Sequence, residues 1–119
     1  MIIIDYKDPR PIYEQIVNRF KKLILNDVLK TDEKMPSVRA LAMELSINPN
    51  TIQKAYSELE RQGYIYTVKG RGNFVSDSSA LKDGYRDEIM RQLDELCERA
   101  DGAGISAKEL ADHLTRHNG

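Results

Sequence analysis

Apolar residues recur along most of this chain at spacings of three and four, and the breaks in that rhythm mark its elements. Ile12, Ile16, Phe20, Leu23, Ile24 and Val28 form one stripe, with Glu14, Asn18, Arg19, Lys21 and Lys22 on the other faces. This predicts an amphipathic helix running to about Asp27. Pro11 suits its first turn, where the missing amide has no partner to lose. Ahead of it, Ile2 to Ile4 read as a short strand or, more simply, as a hydrophobic clamp on the core, and Lys30 to Lys34 as a polar loop.

A second apolar set, Leu41, Ala42, Leu45, Ile47, Ile52 and Ala55, is interrupted by Asn48-Pro49-Asn50-Thr51. No straight helix contains Pro49, because proline lacks the amide donor and clashes with the preceding turn. Pro49 suits instead the first position of a new helix, with Asn48 as its N-cap. Two helices are predicted, about 38 to 45 and about 49 to 62, the first capped by Ser37. Their joint has the length of a helix-turn-helix corner, and the small Ala42 sits where the helices must approach closely. On the second helix Ile52, Ala55, Tyr56 and Leu59 share one face, while Asn50, Lys54, Ser57 and Arg61 share the opposite one, flanked by Thr51 and Gln53.

Gly63 then supplies a left-handed cap. Tyr64 to Val68 and Asn73 to Val75 are β-branched and aromatic runs separated by Lys69-Gly70-Arg71-Gly72, which predicts a hairpin. The fold class is therefore mainly α with a small β-hairpin: a winged helix-turn-helix over residues 1–76, followed by a two-helix tail over residues 77–119. The polar link Ser76-Asp77-Ser78-Ser79 marks the boundary.

In the tail, Leu81, Tyr85, Ile89, Leu93, Leu96 and Cys97 form a helical stripe from Ala80 to about Ala100, which Asp101-Gly102-Ala103-Gly104 ends. Ser106 and Glu109 have the spacing of a capping box for a last helix carrying Leu110 and Leu114. A helix pair alone has too little core to bury such a stripe. It must pack on the winged helix, on a second copy, or on both, and Leu81, Tyr85, Ile89, Leu93 and Leu96 are the expected dimerisation face.

Composition changes this picture in three ways. The net charge of −1 hides an asymmetry: 12 Lys/Arg against 9 Asp/Glu through Ser76, then 6 against 10. Cationic and acidic work are thus divided between the two parts. The single cysteine, Cys97, excludes an internal disulfide and a thiol-rich metal motif. The opening Met-Ile-Ile-Ile-Asp-Tyr-Lys-Asp is too short for a signal-peptide core or a membrane span, so a soluble cytoplasmic protein with no membrane partner is expected.

No Ser, His and Asp share a plausible local arrangement, so the chain does not read as an enzyme. His113 and His117 stand four apart, but two ligands near a chain end do not make a metal site. Neither a metal nor a cofactor is expected.

The runs Met35 to Ala42, Ile47 to Glu60, Gly63-Tyr64-Ile65 and Gly70 to Val75 together resemble the DNA-binding domain of the GntR family of bacterial transcription regulators. Asp5 and Pro11-Ile12-Tyr13-Glu14-Gln15-Ile16 match that family's opening helix, and the resemblance spans roughly residues 3–76. The Asn-Pro-Asn-Thr form with a short two-helix tail resembles the YtrA-like subfamily. Only about 43 residues follow the wing here, so the metabolite-binding or aminotransferase-like domain of larger members is not expected. Ser46 stands where the corner often has glycine, and Pro49 and Gln53 replace arginines of other branches, so the base preferences of those branches do not transfer.

Taken with the polar helix face, this resemblance implies a homodimeric, sequence-specific repressor of transcription on a palindromic operator in double-stranded DNA. The second helix would enter the major groove. There Asn50 and Gln53 can each pair with adenine, Lys54 can reach guanine or phosphate, and Thr51 a phosphate or thymine methyl, with Asn48 at the helix start. Ser37 and Arg39, at the preceding helix N-terminus, would meet phosphate, or guanine in the case of Arg39.

Lys69, Gly70, Arg71 and Gly72 would run along the minor groove, where the potential favours arginine. The bland alternative for each is an ordinary solvated position. A rival function is a winged-helix protein-interaction adaptor without DNA, which the cluster of Lys54, Lys69 and Arg71 disfavours. A small-molecule effector, which no residue set identifies, would bind beside the tail or at the dimer interface.

Overall fold

The computed structural model describes residues 2–118. In order they form α1 (Ile12–Leu25), α2 (Val38–Leu45), α3 (Pro49–Arg61), β1 (Ile65–Val68), β2 (Gly72–Val75), α4 (Ser79–Gly102) and α5 (Ala107–Asn118). Two compact units result, one ending at Leu81 and one beginning at Lys82.

The core of the first unit gathers Ile16, Phe20 and Ile24 of α1, Leu41 of α2, Ile52, Tyr56 and Leu59 of α3, and Ile65 and Val75 of the hairpin. Phe20 meets Tyr56 edge-on, with ring centroids 5.8 Å apart at 84°. The N-terminal arm is a clamp and not a strand: Ile2 is buried and Ile4 packs on the core, while Ile3 points outward. Buried Gln15 fastens that arm, accepting from the Asp5 amide and donating to the carbonyls of Asp5 and Arg10.

The first helix ends two residues earlier than its stripe predicted. Asp27 turns left-handed at φ +59°, and the amides of Val28 and Leu29 both donate back to the Leu23 carbonyl. That turn breaks the helical period, so Leu29 enters the core and Val28 stays exposed.

The helix-turn-helix corner closes with the expected caps. Ser37 Oγ accepts from the Ala40 amide at 3.0 Å, and Asn48 Oδ1 accepts from the Asn50 amide at 2.8 Å. Between the helices Ser46 takes the left-handed conformation at φ +54°, and the Ile47 amide reaches the Ala42 carbonyl. This is the arrangement in which glycine is usual. Gly63, at φ +87°, then ends α3.

β1 and β2 pair antiparallel from Ile65↔Val75 to Val68↔Gly72. The loop before α2 joins them: Lys34 bridges to Phe74, and the Glu33 carbonyl and Met35 amide bond to Val75 and Asn73. The second unit is a helix pair turned at Gly104, φ +77°, with Ser106 Oγ accepting from the Glu109 amide. Among the described residues of this unit, Ala100 alone is buried.

Candidate nucleic-acid interface

Burial of Ile52, Ala55, Tyr56 and Leu59 fixes which way α3 faces. Asn50, Gln53, Lys54 and Ser57 are exposed as a direct consequence, with Thr51 half-buried beside them. Gln53 Nε2 donates to Ser57 Oγ at 3.2 Å, which orients its amide along the helix.

The cations of this helix have different fates. Arg61 forms an ion pair with Glu58 one turn back. That bond, followed by one from Gln62, pulls the Glu58 carboxyl down to about 2. Lys54 instead sits over an aromatic ring, its Nζ 3.9 Å from the centroid of Tyr13. Tyr13 was legible only as part of the opening helix, off its apolar stripe; nothing local tied it to Lys54.

Ser37 and Asn48 both serve as caps, so their side-chain oxygens already accept from backbone amides. Arg39 is exposed in the first turn of α2. At the wing tip Lys69, Gly70 and Arg71 are exposed, and the Arg71 amide closes the turn on the Val68 carbonyl at 2.9 Å. Gly70 and Gly72 adopt φ +80° and +118°, which side chains other than glycine rarely take.

Below the tip the hairpin is stiffened. Tyr66 stacks on Phe74 with centroids 5.7 Å apart and donates through its hydroxyl to Asp32 Oδ1 at 2.7 Å. The Thr67 hydroxyl lies 2.7 Å from Asn73 Oδ1. The first unit thus exposes two features that carry cations, the polar face of α3 with Lys54 and the hairpin tip with Lys69 and Arg71.

The residues expected at a dimer contact divide. Leu81 packs on the core of the first unit, whereas Tyr85, Ile89 and Leu96 are exposed and Leu93 is half-buried. The rings of His113 and His117 lie parallel, 6.4 Å apart. Among the described residues no group of three or more His, Cys, Asp or Glu is placed to hold a metal ion, and no helix is long and apolar enough to cross a membrane.

Comparison with known proteins agrees with this geometry. The profile of the bacterial regulatory proteins, gntR family, matches residues 12–75. The HTH-type transcriptional repressor YtrA of Bacillus subtilis (strain 168) is 44% identical over 116 residues, 96% of this chain and 89% of that protein. A GntR family transcriptional regulator from Listeria monocytogenes superposes with a TM-score of 0.73 at 33% identity, over 95% of this chain and 98% of that one. AraR(DBD), crystallised in complex with operator ORE1, covers 64% of this chain and 93% of its own, with a TM-score of 0.55 at 28% identity. These relatives are transcription regulators and not enzymes. The chain belongs to the GntR family of bacterial regulatory proteins.

Proposed function

We propose that this regulator is a homodimeric repressor that docks on a palindromic operator, with α3 in the major groove and the wing along the minor groove. The observation that carries the proposal is the open polar face of α3, where Asn50, Gln53 and Lys54 all stand exposed on a helix whose other side is fully committed to the core. The sequence similarity to a transcriptional repressor and the fold shared with an operator-bound domain support the same reading.

In this reading Asn50 and Gln53 read base edges, Thr51 and Arg39 contact the backbone or an adjacent base, and Lys69 and Arg71 straddle the minor groove. Ser37 and Asn48 act mainly as side-chain caps that hold the two helix N-termini in place, and Gly70 and Gly72 through their backbones, by permitting close approach. Residues 1–76 dock and residues 77–119 pair the protomers. The exposed Tyr85, Ile89 and Leu96 support that pairing, since a soluble monomer rarely leaves such a row uncovered. Two-fold symmetry then sets half-sites about 34 Å apart, or a related spacing.

The test is a titration of the protein against a labelled duplex from its own upstream region and a shuffled control, at several salt concentrations. Preference for the native duplex with steep salt dependence is expected, the slope reporting phosphates neutralised. Absence of binding to both duplexes at low salt would overturn the proposal in favour of an adaptor.

A further inference from the structure

Gln53, bonded to Ser57, lies on one flank of the polar face of α3 that Asn50, Lys54, Ser57 and Arg61 share. Lys54 lies one residue further round, about 100° away, on the side toward α1. Because α1 packs along α3, the aromatic ring in its first turn flanks this helix, and the Lys54 ammonium stands 3.9 Å from the Tyr13 centroid.

A ring holds a cation differently from a carboxylate. Attraction to the face of the π system restrains the ammonium without cancelling its charge. The contrast is visible on the same helix, where Arg61 is neutralised by Glu58. Lys54 therefore keeps its full charge at a fixed place on the flank of the base-reading face, and a groove wall lined with phosphates runs along that flank when the helix enters a groove. Lysine is otherwise a flexible point charge that loses much side-chain freedom when it docks.

We propose that Tyr13 is a positioning residue for DNA docking, which pre-orients Lys54 as a phosphate-contacting cation beside the face of α3. This rests on the DNA-binding function proposed above. Tyr13 acts through Lys54 and reads no base, so its effect falls equally on native and shuffled duplexes.

Tyr13 packs partly on the core, so Tyr13→Leu keeps apolar volume while Tyr13→Phe keeps the ring. Tyr13→Leu is expected to weaken binding about two- to fivefold on both duplexes, the cost of ordering one flexible side chain on docking. Tyr13→Phe should bind as the wild type does. In a Lys54→Met background, which should itself lower the salt slope by about 1, Tyr13→Leu should add nothing.

An unchanged affinity for Tyr13→Leu, or an equal loss in the Lys54→Met background, would overturn the positioning role while specific wild-type binding upheld the function. A wild type that binds no duplex would remove both. Independently of any variant's folding, the Lys54 Hε protons of the free protein should be shifted upfield by the ring current of Tyr13. Random-coil shifts would overturn the proposal.

Discussion

The hydroxyl of Tyr56 donates a 2.7 Å hydrogen bond to the carbonyl of Pro36, tying α3 to the residue just before the cap of α2. The two residues are 20 apart in sequence, and the bond braces the helix-turn-helix from inside. Burial pushes the ionisation of Tyr56 upward, so the donor stays protonated at all ordinary pH. Tyr56→Phe would keep the edge-on contact with Phe20 and lose only the hydroxyl. A loss of about 1–2 kcal/mol in urea unfolding is expected, since it leaves a partly buried carbonyl without its partner.

Ser46 occupies the left-handed corner at φ +54°, a conformation disfavoured for residues with a Cβ. Ser46→Gly removes that cost but loosens the unfolded chain, leaving a net gain of about 0.5–1 kcal/mol. Thermal denaturation should show a midpoint higher by a few degrees, with DNA affinity unchanged.

Arg71 and Gln53 should fail in different ways. Arg71 stands at the wing tip, so Arg71→Ala should weaken binding to every duplex and lower the salt slope by about 1. Gln53 is exposed on α3, so Gln53→Ala should relax sequence choice, narrowing the gap between operator and shuffled duplex by about 1–3 kcal/mol. Anisotropy titrations of both variants on both duplexes separate the two effects.

Ile89 is 57% exposed on α4, so a charge there costs the protomer little. Ile89→Asp should instead disrupt pairing. Sedimentation should find the wild type at about twice the 13.6 kDa protomer mass and the variant nearer to that mass, with helicity retained. A wild-type monomer at all concentrations would contradict the dimer.

The Glu58 carboxyl, held near 2 against an ordinary 4.5 chiefly by Arg61, links stability to pH. Its folded-state value is depressed, so its contribution is complete above about 4.5 and fades as pH falls toward 2. The melting points of wild type and Glu58→Gln should therefore converge across that window. The difference should be small and salt-sensitive because the pair is exposed to solvent.

What the sequence determined by itself was everything governed by residues within a few positions of one another. The helix boundaries at Pro49 and Gly63, the caps at Ser37 and Asn48, and the glycine-tipped hairpin all follow from local backbone chemistry. The exposed face of α3 follows from its period, and hence so did the candidate interface.

Tertiary structure decided the rest, because it depends on partners distant along the chain. The core took in Leu29 and left Val28 exposed, and β2 recruited the loop around Lys34 as a second partner beside β1. Packing of α1 on α3 set Lys54 over Tyr13, 41 positions away, by a contact that no local periodicity encodes. Leu81 shows the same limit: its spacing placed it on the tail's stripe, but the core next to Gly63 had room for it and took it in.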